Sequence, residues 1–173
     1  MPAQLKNRHL LSKKERKKLH RILTDKLLRI LDYNSCNLLE VGEYDDAVVY
    51  LCDSQCFILI VEYRGENLYV PCLKRLLQVF RKSISIGDIE VDRGAVQALM
   101  RGADLMAPGV RRVTAYFDPG DMVIIIDEES NAPVSVGKAM VSSRELEAMV
   151  SSKSRGKVVA NLHYVGDKVW KEL

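Results

Sequence analysis

Aromatic side chains are scarce in this sequence, with seven Tyr, three Phe and one Trp among 173 residues. Proteins that grip splayed single strands stack bases on aromatic platforms, so any nucleic-acid ligand is expected to be double-stranded or recognised at an end. Cysteine is equally sparse. Cys36, Cys52, Cys56 and Cys72 include no CxxC pair of the zinc-ribbon kind. The FILIV run after Cys56 marks buried or half-buried thiols, and only the CxxxC spacing of Cys52 and Cys56 points toward a metal. Neither a metal nor a cofactor is expected. No apolar run approaches the ~18 residues of a membrane span, and the basic amino terminus lacks the apolar core of a secretion signal, so the expected location is the cytoplasm.

Catalytic signatures are missing too. GxGxxG, GxxxxGK followed by Ser or Thr, HExxH and GxSxG do not occur. His9, His20 and His163 are isolated from one another, and nothing in the spacing of Asp92, Asp118 and Asp121 requires them to converge. FDPGD reads as a turn. The chain is therefore expected not to be an enzyme.

What is present is an uneven charge. The first 29 residues hold ten Lys and Arg against Glu15 and Asp25, a balance of +8, which leaves −5 for residues 30–173 of a total of +3. Ser12 and Glu15 form a capping-box start, and Leu19, Ile22, Leu23, Leu27, Ile30 and Leu31 then recur at helical spacing. That pattern predicts one amphipathic helix. Lys14, Lys18, Arg21 and Arg29 fall opposite its apolar stripe, with Lys13 and Lys17 on one flank. Such a face is either solvated or attracts phosphates of RNA or of a membrane surface.

From Asp45 to Pro71 the pattern changes to strands: AVVYL, CFILIV and LYVP, separated by DSQ and YRGEN. Cys72 to Phe80 returns to helix, and Lys74, Arg75, Arg81 and Lys82 make a second basic group. The expected boundary is Ile86-Gly87-Asp88. Beyond it, Ile89 to Val91 reads as a short strand, Gly94-Ala95 opens a helical run through Val96, Leu99 and Met100, and Gly102 ends it. Ala103 to Met106 is extended, and Pro108-Gly109 turns the chain. Asp121–Asp127 and Pro133–Val141 make a hairpin, Ser142-Ser143 caps the helix RELEAMV, and Lys157–Leu162 is a further strand.

VDRGAVQALMRGADLMAPGV, with its two GA pairs and its PGV tripeptide, resembles the opening of a PUA domain, an RNA-binding module. GDMVIIID, PVSVGKAMVSSRELE and KVVANLHYVGDKVW look like later strands of that module in order. YVPCLKRLL and NLHYVGDKVW further resemble the malignant-T-cell-amplified-sequence and ligatin family, in which a small amino-terminal domain precedes the PUA domain. The basic opening KNRHLLSKKE is similar to its archaeal members. The fold this implies is an α+β amino-terminal domain over residues 1–85, then a small mostly-β PUA pseudobarrel with short helices over residues 86–173.

The resemblance implies RNA contacts on the first PUA helix, the strand after it and a later strand. In this sequence those are Arg93, Gly94, Ala95, Arg101, Gly102, Ala103, Pro108, Gly109, Val110, Arg111 and Arg112, with Gly137 and Lys138. Arginines flank each glycine bend, and the bends are expected either to admit phosphates or simply to make compact turns. Lys14, Lys18, Arg21, Arg29, Lys74 and Arg75 form an expected secondary basic surface. The family acts at the small ribosomal subunit with tRNA, so the implied function is non-catalytic binding of structured RNA, tRNA or small-subunit rRNA, in translation. The alternatives are an accessory factor for RNA modification or ribosome biogenesis, and a protein-interaction scaffold. A partner like density-regulated protein is implied as separate or absent, since the sequence carries no equivalent extension; no membrane partner is expected.

Overall fold

A computed structural model describes residues 5–31, 33–45, 47–81 and 87–173. Two compact units emerge, residues 1–79 with 172–173, and residues 80–171. The expected boundary at residues 85 and 86, and Lys82 of the second basic group, lie outside the described residues.

The first unit is an antiparallel sheet with helices. Its strands, β1 (Lys6–Leu10), β2 (Leu39–Tyr44), β3 (Ala47–Cys52), β4 (Gln55–Tyr63) and β5 (Glu66–Pro71), follow one another in space as in sequence. The β3–β4–β5 meander is the one expected. β1 and β2 add to it, and the five residues of β1 are all exposed and carry no alternation to read. The expected single helix is two: α1 (Lys13–Ile22) and α2 (Asp25–Ile30). Leu23 turns extended, and Thr24 caps the new helix by accepting the Leu27 N–H at 3.3 Å. Helical spacing continues across the break because Leu19, Leu23, Leu27 and Leu31 are all buried on one side of both helices. The Ser12–Glu15 capping box is present. A last helix, α3 (Leu73–Phe80), buries Leu73, Leu76 and Val79.

The cysteines depart from expectation in part. Cys36 and Cys52 form a disulfide, whereas Cys56 and Cys72 are buried and lie outside it. Thirty-six to fifty-two is a long-range pairing made when the segment before β2 folds back on β3, which sequence spacing does not reveal. Among the described residues, no group of three or more His, Cys, Asp or Glu is arranged to hold a metal ion, and no helix is long and apolar enough to cross a membrane.

The second unit is built on six strands: β6 (Ile89–Val91), β7 (Leu105–Met106), β8 (Val110–Val113), β9 (Met122–Asp127), β10 (Pro133–Ala139) and β11 (Lys157–Tyr164). Their spatial order is β7-β11-β10-β9-β6-β8, antiparallel except for the parallel pair β6–β9. The two edge strands, β7 and β8, are consecutive in the chain and joined only by the turn Ala107–Gly109. Three residues span at most about 10 Å, so the sheet must curl until its edges nearly meet, which is the half-closed barrel expected. Inside it pack Ile89, Val91, Leu99, Val110, Phe117, Val123, Ile125 and Val158. Helices α4 (Arg93–Leu99), α5 (Ser143–Ser151) and α6 (Lys168–Glu172) follow in the same half of the chain. The fold is mixed α+β, a β-rich first domain followed by a pseudobarrel with short helices.

Candidate nucleic-acid interface

The candidate site begins where β6 gives way to α4. Asp92 is the N-cap, and its Oδ1 accepts the Ala95 N–H at 2.8 Å. On the helix that follows, Arg93 and Gln97 stand four residues apart, and Arg101 repeats that spacing just past the C-cap, so the three form one exposed row. The helix closes on Gly102, at φ +86°, with Gly102 N–H donating to Leu99 O at 2.9 Å and Ala103 N–H to Ala98 O at 3.1 Å. This paired closure needs a left-handed residue, which is why glycine stands there.

The loop after the helix is fixed from β11. The Asn161 amide donates to Leu99 O at 3.0 Å and Ala103 O at 2.9 Å, and the Asn161 backbone N–H donates to Asp104 Oδ1 at 2.9 Å. Ser135 Oγ in turn donates to Asn161 Oδ1 at 2.7 Å, orienting the amide. Lys157 Nζ lies 2.5 Å from Asp104 Oδ2. Arg93 and Arg101 are thus carried on a preorganised helix and loop, and among the described residues neither pairs with a carboxylate.

The other two arginines are held. Arg111 lies 2.6 Å from Asp92 Oδ2 and 3.9 Å from Glu128 Oε1, and Arg112 grips Glu90 with both arms of its guanidinium, one at 2.9 Å. That hydrogen bonding raises the Arg112 pKa further still. The glycines divide in the same way. Gly94 and Gly102 are exposed, as are Ala103 and Pro108. A Cβ on Gly109 would meet Ala95 Cβ at 2.6 Å, and one on Gly137 would meet Ala160 O at 2.4 Å. Gly109 therefore lets the turn pack on α4, and Gly137 lets β10 approach β11. Of the two readings of the Gly109 bend the compact turn is the one this packing supports, and Gly137, expected among the RNA contacts, is buried at a close strand approach. Ala95 is half-buried, Val110 is buried and Lys138 is half-buried on β10.

On the first unit, Lys14, Lys18, Arg21 and Arg29 are exposed as expected, with Lys13 and Lys17 beside them. Lys74 is half-buried, and Arg75 is removed from the basic surface. Its Nε and Nη2 donate to Leu31 O at 3.2 and 2.9 Å, capping the end of α2.

Comparison with known proteins bears on these sites. A PUA domain model matches residues 87–165, and a domain of unknown function, DUF1947, matches residues 7–79. An uncharacterized protein of Methanocaldococcus jannaschii is 31% identical over 176 residues, covering 96% of this chain and 97% of its own length. A malignant T-cell-amplified sequence 1 homolog of Drosophila melanogaster is 30% identical over 106 residues, 60% of this chain and 54% of that protein. The chain is a PUA-domain protein of the malignant-T-cell-amplified-sequence family.

Other matches agree. Translation machinery-associated protein 20 of Schizosaccharomyces pombe is 28% identical over 107 residues, 60% of this chain and 57% of that protein. The matches to these two eukaryotic relatives thus span little more than half of each. The crystal structure of a PUA domain from Aeropyrum pernix superposes with a TM-score of 0.66 at 31% identity, over 95% of this chain and 89% of that one. Within this PUA domain, sequence reasoning missed Asp92 and Asn161. Asp92 carried a readable signal, since an acidic residue three before Ala95 at a strand-to-helix junction is a capping pattern. Asn161 carried only its rarity in strands, because its partners Leu99 and Ala103 lie some sixty residues away.

Proposed function

We propose that this PUA-domain protein is a non-catalytic RNA-binding factor of the translation apparatus in the cytoplasm. Structured RNA, tRNA or small-subunit rRNA, meets the PUA face at Arg93, Gly94, Arg101, Gly102, Ala103 and Pro108 and at Lys138 of β10, and meets the basic face of α1 and α2. The observation that carries the reading is the row Arg93–Gln97–Arg101. Arg93 on the helix and Arg101 on the turn that closes it flank the Gln97 amide, among the described residues neither cation pairs with a carboxylate, and the two ends are held by Asp92 and Asn161. Such a row suits an A-form backbone, where guanidinium groups neutralise phosphates and an amide reaches a 2′-hydroxyl. Gly109, Val110, Ala95 and Gly137 support that surface by packing, and Arg111 and Arg112 are engaged with Asp92 and Glu90. The fission-yeast relative is a translation machinery-associated protein, which supports a place in translation.

The test is binding of tRNA and of isolated small subunits across a salt series. Arg93→Ala and Arg101→Ala are each expected to lower affinity and to reduce the log-log salt slope by about one unit or less. Unchanged affinity in the double variant would remove the PUA face from the interface.

A further inference from the structure

A recess lies in the first domain. It is a cleft of about 430 Å³, walled by Arg16, Lys17, His20 and Arg21 of α1 and by Tyr33 and Asn34 of the turn before β2. That volume falls within the roughly 300–1,000 Å³ of small-ligand sites. Arg16 with His20, and Lys17 with Arg21, make two i,i+4 ridges along the helix, and among the described residues no Asp or Glu lines the cleft. A solvated helix face normally interleaves both signs; among the described residues the charged groups lining this cleft are cations.

The opposite wall is aromatic and fixed. The His20 ring meets Tyr33 edge-on, with centroids 5.4 Å apart at 75°, and Tyr33 leans on the fully buried Phe57 at 6.1 Å. Tyr33 Oη donates to Arg16 O at 3.0 Å, and the Cys36–Cys52 disulfide ties the end of the Tyr33 turn to β3. In a chain so poor in aromatics, two rings and the exposed Asn34 amide stand beside three cations. Phosphate capture needs only the charge; rings and an amide add a place for a base.

We infer that this cleft is a nucleotide subsite, taking one unstacked nucleotide of an RNA strand with its base against His20 and Tyr33 and its phosphates on Arg16, Lys17 and Arg21. The inference rests on the RNA-binding reading above and names the unit that the basic helix recognises. A membrane surface fits less well. An interfacial helix inserts its apolar face into lipid, whereas Leu19 and Leu23 of α1 and its C-cap are 2% and 5% exposed within the protein core.

The test titrates the full isotope-labelled chain with the four ribonucleoside 5′-monophosphates, with the matching nucleosides and with inorganic phosphate, read by NMR. Nucleotide is expected to shift His20, Tyr33 and Asn34 and to bind about tenfold more tightly than phosphate, the margin that base stacking provides. Lys17→Ala with Arg21→Ala, both exposed and so tolerated by the fold, should weaken nucleotide about tenfold. His20→Ala should weaken nucleotide while leaving phosphate unchanged. Equal affinity for phosphate and nucleotide, shifts that avoid His20 and Tyr33, or displacement of nucleotide by anionic phosphatidylglycerol vesicles would each overturn the subsite. A chain that binds tRNA through Arg93 and Arg101 but shows no nucleotide shifts keeps its proposed function and loses the subsite. Nucleotide shifts at the cleft in a chain that ignores tRNA and small subunits sink the translational reading and uphold the subsite for free nucleotide.

Discussion

Asp92 and Arg111 share one carboxylate with a helix terminus: Oδ1 of Asp92 caps α4 through the Ala95 N–H, and Oδ2 lies 2.6 Å from the Arg111 guanidinium. Arg111 is half exposed, so its pair is worth at most about 1 kcal/mol, whereas losing the cap costs about 1 kcal/mol on its own. Asp92→Ala should therefore lower the denaturation midpoint more than Arg111→Ala does. It should also weaken RNA binding, because it loosens the turn that sets Arg93. Arg111→Ala should leave RNA affinity near that of the native chain, and a loss equal to that of Arg101→Ala would show that Arg111 is a direct contact.

Gly65 and Gly137 separate two reasons for glycine. Gly65 sits at φ +81° with nothing within 4 Å of where a Cβ would stand, and Gly137 has ordinary backbone geometry but Ala160 O at 2.4 Å from that point. Gly65→Ala is expected to cost about 1 kcal/mol from backbone strain alone. Gly137→Ala must push β10 from β11, at about 1–3 kcal/mol, and should carry the Asn161 staple with it. Equilibrium unfolding ranks the two, and RNA affinity should fall only for the second. Equal costs with equal affinities would show that Gly137 does not govern the strand spacing.

Local pattern made much of this architecture readable. The β-branched run Val123–Ile126, the Ser142 cap and the GA pairs identified the second domain because each signal lies within a few residues. Pairings across the chain were not readable. Glu90 with Arg112, Asn161 with the loop after α4, and Cys36 with Cys52 depend on which segments meet, and a sequence shows only that a carboxylate, an amide or a thiol exists. Arg75 shows the same limit from the other side. Its charge suggested a surface, and only the proximity of Leu31 O makes it a cap.

Asp167 predicts how stability responds to acid. Its half-buried carboxylate accepts from His163 Nδ1 at 2.6 Å and from the backbone N–H groups of Trp170 and Tyr164 at 2.7 and 3.0 Å. Burial alone would raise its pKa, but these donors and the neighbouring His163 prevail and hold it below the usual carboxylate range. A lowered folded pKa means a contribution that is complete above the unfolded value of about 3.9 and lost as pH falls through the folded one. Denaturant midpoints should therefore fall more steeply below about pH 4 in the native chain than in Asp167→Asn. The variant should cost about 1.5–3 kcal/mol at pH 7, the range for hydrogen bonds to a charged group, and less at pH 3. A cost that does not change with pH would show that Asp167 acts by packing alone.

The disulfide gives the last prediction. Cys36 and Cys52 are 16 residues apart, and closing a loop of about that length restricts the unfolded chain by about 3 kcal/mol. Most cytosols keep thiols reduced, so the state of this pair sets whether the Tyr33 turn is tethered to β3 in addition to its contacts with His20, Phe57 and the Arg16 carbonyl. Reductant should lower the unfolding midpoint of the native chain and leave Cys36→Ser unaffected, while Cys56→Ser retains the native redox response. The same reduction should weaken nucleotide at the α1 cleft severalfold, since a looser Tyr33 wall must be ordered on binding. It should leave tRNA contacts at Arg93 and Arg101 unchanged. Identical unfolding with and without reductant would mean that the turn is ordered by its packing, and that the pairing of Cys36 with Cys52 adds nothing to the fold.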